Sequence, residues 1–136
     1  MHRNEEYLGV DAGSARVGIA RGGSLAKIAE PLATVPAAEA VEELAKLANE
    51  SGAVGIVVGL PRGLDGQETA QTGAARDWVK AAKDKIKLPF YWQDEALTSR
   101  QAELRTDKKA AGADAIAASI LLQDFLDTGL EERVRC

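Results

Sequence analysis

The sequence predicts an α/β fold: a mixed five-stranded sheet with helices on both faces. Three observations point there. Three short apolar segments near the start are separated only by turns. A continuous apolar run, AVGIVVGLP (53–61), suits a strand buried on both faces. From Pro36 onward, segments of helical spacing alternate with strands, as parallel pairing with crossover helices requires.

Glu6 to Asp11 reads as the first strand, with Tyr7, Gly9 and Asp11 on one face and Leu8 and Val10 on the other. The turn Ala12-Gly13-Ser14 leads to a second strand, Arg16 to Arg21, and Gly22-Gly23 breaks the chain before a third, Ala26 to Val35. Connections this short make the three antiparallel. Pro36 opens a helix in which Ala37, Val41, Leu44, Ala45 and Ala48 recur at helical spacing, and Gly52 supplies its stop. After the buried strand, the loop RGLDGQE leads to a second helix. There Ala70, Ala74, Trp78, Ala81 and Ala82 share a side, which places Trp78 in the core. LPFYWQ makes the fifth strand, ending at Asp94-Glu95, with one of Tyr91 and Trp92 packed and the other accessible. LTSRQAELR is expected as a short helix capped by Thr98 or Ser99. The last long helix runs from Asp114 to Asp127 and is closed by Thr128-Gly129. Residues 1–130 are thus expected as one domain and 131–136 as a tail. The order of elements is that of the ribonuclease H-like fold, since a doubly wound nucleotide-binding fold needs a helix after its first strand.

Composition narrows the chemistry. A chain of 136 residues with 46% hydrophobic and 28% charged residues can bury a real core as a soluble domain. No apolar run is long enough to span a bilayer, and MHRNEEYLG lacks the apolar core of a secretory signal, so a cytoplasmic location without membrane is expected. Cys136 and His2 are the single residues of their kinds, both at termini, which leaves little room for disulfides, zinc or serine–histidine catalysis. Carboxylates, hydroxyls, Lys and Arg remain. A net charge of -4 speaks against a nucleic-acid partner, at a discount because a metal-holding acid cluster would supply most of that excess.

The acids have a pattern. Asp11 ends the first strand. Asp94 and Glu95 are consecutive, so only one of them can easily meet Asp11. Asp114, Ala117, Ala118, Leu121 and Phe125 form a helical stripe whose alanines permit close approach to the sheet. Acids remote in sequence would then converge at one sheet edge and repel one another unless neutralised. Mg²⁺ or Mn²⁺ relieves that repulsion. Two such ions roughly 4 Å apart can position a water and stabilise the leaving oxygen of a phosphodiester. Each acid also has a plain structural role: turn-former at Asp11, N-cap at Asp114, solvated strand end at Asp94 or Glu95.

Five motifs in order carry a family likeness: GVDAGSARVGIA (9–20), EPLATV (30–35), IVVGLPRGLDGQE (56–68), DEALTS (94–99) and DAIAASILLQDFLD (114–127). Over nearly its whole length the chain resembles the YqgF family, also called RuvX or Holliday junction resolvase-like. That resemblance implies a ribonuclease H-like nuclease using Mg²⁺ or Mn²⁺, acting in 5′-end processing of pre-16S rRNA or on branched DNA. It implies Asp11, Glu95 and Asp114 as catalytic and metal-binding acids, with Asp94 as a possible additional one. It implies Arg16, Arg62, Thr98, Lys108 and Lys109 as substrate contacts. A homodimer stays open beside a monomer.

The chain departs from the family pattern where cations are expected. Ala96 replaces an arginine after the acid pair, Ala15 replaces a lysine, and the linker RTDKKAAGA keeps only Arg105, Lys108 and Lys109. Fewer cations mean fewer phosphate contacts. An RNase H-like binding or assembly module without catalysis is therefore the alternative. An ATP-binding protein of the actin-like type would need a second such domain, for which the chain has no room.

Overall fold

Alternation along the first strand divides the molecule into two cores. The computed structural model describes residues 4–13, 15–61, 67–95, 113–129 and 134–136. Strands β1 (Glu6–Ala12), β2 (Arg16–Gly23) and β3 (Ala29–Pro36) form the expected antiparallel group. β4 (Gly55–Pro61) pairs parallel with β1, and β5 (Phe90–Glu95) pairs parallel with β4. Among the described residues the sheet gains a sixth strand, β6 (Val134–Arg135), giving the order β3-β2-β1-β4-β5-β6. The segment expected as a tail therefore covers the β5 edge, where the Cys136 N–H donates to the Phe90 carbonyl at 2.9 Å.

One face of the sheet buries Leu8, Val10, Ile19, Ile56, Val58 and Phe90 against α1 (Ala40–Ser51) and α2 (Ala70–Lys85). The other buries Tyr7, Ala20 and Val57 against α3 (Ala113–Asp124) and the π-helical turn that continues it, Phe125–Gly129. The expected split of Tyr7 from Leu8 and Val10 is what builds the two cores. Among the described residues no helix is long and apolar enough to cross a membrane. The helix expected over LTSRQAELR lies outside the described residues.

Local signals explain the helix ends. α1 follows Pro36 through a 3₁₀ turn and stops at Gly52, whose φ of 68° suits a residue without Cβ. α2 opens on a reciprocal pair: the Thr72 N–H donates to Thr69 Oγ1 at 3.4 Å, and the Thr69 N–H donates to Thr72 Oγ1 at 2.9 Å. The buried Thr72 hydroxyl also donates to the Pro61 carbonyl, tying the start of α2 to the end of β4.

That tie rotates α2 away from the alanine stripe expected for it. Its buried residues are Thr72, Ala75, Val79 and Ala82, while Ala74 and Ala81 are exposed and Trp78 is half-buried. Burying Val79 and satisfying Thr72 outweighs burying two more alanines. Tyr91 and Trp92 are both half-covered: Tyr91 packs on Tyr7 and Phe125, and Trp92 lies under the Arg76 guanidinium at 5.6 Å.

Thr72→Val keeps the shape and leaves the Pro61 carbonyl and the Thr69 N–H without their partner. It is expected to cost about 1–3 kcal/mol, read as a lower urea midpoint at unchanged slope.

Candidate active site

β1, β4 and β5 run parallel, so their C-terminal ends share one edge of the sheet. Asp11 lies at that edge, one residue from the end of β1 and only 9% exposed. Opposite it in β2 is Gly18, and opposite Gly18 in β3 is Thr34. This row of three is the seat of α3.

A Cβ on Gly18 would overlap the Asp114 carbonyl, so the first turn of α3 rests directly on strand backbone. The Ala115 N–H, which has no partner within its own helix at this position, donates to Thr34 Oγ1 at 3.3 Å. Further along, a Cβ on Gly9 would come within 2.7 Å of Leu122 Cβ and 3.0 Å of the Ala118 carbonyl, so the later turns of the helix also lie close on β1. At the far end Gln123 clamps the helix to the β2–β3 hairpin. Its Oε1 accepts the Ala29 N–H at 2.9 Å and its Nε2 donates to the Lys27 carbonyl at 2.7 Å.

Asp114 is the second residue of α3 rather than its cap, where an acid is favoured by the positive end of the helix. Its carboxylate, 29% exposed, meets Arg16 Nε at 3.1 Å. Arg16 is the first residue of β2, two before Gly18 and so on the same face of the sheet. Gly18 is thus the strand partner of Asp11, the seat of the Asp114 backbone, and two residues beyond Arg16.

Asp94 and Glu95 close β5 opposite Leu60 and Pro61. Their side chains, and Arg62, Thr98, Lys108 and Lys109, lie outside the described residues. Among the described residues no three of His, Cys, Asp and Glu come together as a metal site. Asp11 and Asp114 offer carboxylate oxygens, the donor type that suits a hard cation such as Mg²⁺ or Mn²⁺.

Gly18 and Thr34 are site residues that the sequence reading missed. The available signal was a glycine inside a strand, which marks close approach of another backbone.

Residues 5–128 match the family model RuvX, described as Holliday junction resolvase. The chain belongs to the RuvX family. A relative from Chloroflexus aggregans, named "Putative pre-16S rRNA nuclease", is 38% identical over 91% of this chain and 95% of its own length. One of the same name from Acidiphilium cryptum is 34% identical over 98% and 90%. Among solved structures, Thermus thermophilus RuvC in complex with a Holliday junction superposes with a TM-score of 0.59 at 17% identity, covering 97% of this chain and 99% of that one. The ribonuclease H-like fold expected for a RuvX protein is therefore present. The matched span runs from β1 through α3 and includes both Asp11 and Asp114.

Gly18→Ala is expected to push α3 off its seat and cost at least about 1–3 kcal/mol. Gly73→Ala, at an exposed position of α2 with nothing within 4 Å, is expected to stabilise by about 0.5–1 kcal/mol. Urea unfolding of the pair separates close packing from backbone entropy.

Proposed function

We propose that this RuvX protein is a metal-dependent endonuclease hydrolysing phosphodiesters in structured nucleic acid, with the 5′ end of pre-16S rRNA as its first substrate and branched DNA as its second. The observation that carries this reading is that Gly18, the strand partner of Asp11, is the residue on which the Asp114 backbone rests. The names of the curated relatives favour the RNA substrate.

Asp11 and Asp114 act as ligands, with Glu95 as the third and Asp94 as a possible additional acid. A divalent ion held there supplies a water of lowered pKa and charge neutralisation at the phosphate. The chain's own residues do the rest. Burial of Asp11 fixes its carboxylate and limits competing water. The Gly18 seat fixes the start of α3, and Arg16, exposed beside it, can reach a substrate phosphate. Arg62, Thr98, Lys108 and Lys109 complete the contacts to the backbone of the nucleic acid. Water oxygen adds to phosphorus, the ester P–O bond breaks, and the departing oxygen takes up a proton.

The ion pair between Arg16 and Asp114 favours a second reading, a binding module in which that carboxylate serves structure alone. Cleavage of precursor rRNA and of a four-way DNA junction, with and without Mn²⁺, distinguishes the two. Losing a group that merely supports a ligand costs roughly 10–100-fold. Asp11→Asn is therefore expected to lower cleavage by more than about 100-fold while the far-UV circular dichroism is retained. Cleavage that survives this substitution, or needs no divalent ion, would reject the nuclease assignment.

A further inference from the structure

Asp114 already has a cation. Arg16 Nε lies 3.1 Å from Asp114 Oδ2, and the two residues differ in how firmly they are held. The Asp114 backbone rests on Gly18, and its carboxylate is mostly covered. The Arg16 side chain is 68% exposed, at the first residue of β2. A carboxylate that binds a metal presents the same oxygen lone pairs that a guanidinium N–H uses. Both partners are positive, so they also repel one another at that distance.

We propose that Arg16 is a displaceable counter-ion for Asp114, competing with the divalent cation and released towards solvent when the cation binds. This rests on the reading of Asp114 as a metal ligand. Without the ion, the guanidinium neutralises the Asp114 carboxylate. Once displaced, the same guanidinium has its donors unpaired on the solvent side of the site, where an anionic phosphodiester would approach. Metal loading and exposure of an anion-binding arginine then become one event. An arginine fits this role better than a lysine, because its planar fork matches carboxylate and phosphate alike.

The arrangement makes a prediction opposite in sign to that for a supporting residue. An arginine that oriented Asp114 for the metal would weaken metal binding when removed, whereas a competitor strengthens it. Calorimetric titration with Mn²⁺, in the absence of nucleic acid, compares wild type with Arg16→Gln, Arg16→Lys and Asp114→Asn. Exposed ion pairs correspond to about a two- to fivefold change in an equilibrium constant. Arg16→Gln is therefore expected to bind Mn²⁺ about two- to fivefold more tightly, with Arg16→Lys between it and wild type. In wild type the Arg16 Nε–H resonance should shift on Mg²⁺ titration and saturate with the binding isotherm. Arg16→Gln binding equally or more weakly, while Asp114→Asn abolishes binding, would overturn the competition and leave Asp114 as a ligand. Failure of wild type and Arg16→Gln alike to bind Mn²⁺ would overturn both. Thermal unfolding of each variant confirms that it is folded, as the exposure of Arg16 leads one to expect.

Discussion

Contact between helix backbone and strand backbone, where α3 crosses Gly9 and Gly18, is the constraint on which the site depends. At this separation the helix cannot slide along the sheet without collision, and lifting it would expose the apolar side chains it buries. Beyond the glycines, Leu121, Leu122, Phe125 and Leu126 are buried against Tyr7, Ala20 and Val57. Each such side chain contributes about 1.5–3 kcal/mol on burial. The ion pair with Arg16, largely open to water, contributes about 0–1 kcal/mol. The position of the Asp114 carboxylate is therefore set by apolar packing further along its helix. The arginine only supplies a counter-charge to it.

Much of this was legible in the residues. Strand alternation separated Tyr7, Gly9 and Asp11 from Leu8 and Val10, and two cores stand on those two sets. The spacing of Asp114, Ala117, Ala118, Leu121 and Phe125 identified the helix face that meets the sheet, and the buried residues of α3 include the four apolar ones. What escaped the sequence reading has a common cause, that each missed feature depends on what lies opposite. Gly18 shows its purpose only when α3 is placed over it. The rotation of α2 depends on the Pro61 carbonyl, an acceptor for Thr72 that no periodicity within α2 reveals. The two-residue strand β6 is too short to carry a pattern of its own, and it exists because the edge of β5 is there to pair with.

The site was legible in part for the same reason. Asp11 and Asp114 were identifiable as acids at the ends of elements that would meet. The choice between Asp94 and Glu95 could not be made from two adjacent carboxylates alone. It depends on what each carboxylate faces across the sheet, which neighbours in one strand do not reveal. Arg16 was legible as a cation near the turn. Its partner was not, because a cross-strand offset of two residues and a helix from the far end of the chain together bring Asp114 to it.

The two ends of α3 show why acidity alone does not make a site. At its C-terminal end Asp124 and Asp127 lie close together, and burial with the charge of Asp127 pushes the Asp124 carboxyl above its usual range. The negative end of a helix adds to that cost. At the N-terminal end the helix field has the opposite sign, so Asp114 is welcomed where Asp124 is merely tolerated. The same field favours an approaching phosphate. The edge at which β1, β4 and β5 end is thus the place where this acidic chain can concentrate carboxylates and still attract an anion, provided cations stand between them. Of the cations the sheet itself supplies, Arg16 stands closest to that task, and the glycine beneath Asp114 makes room for it to be needed.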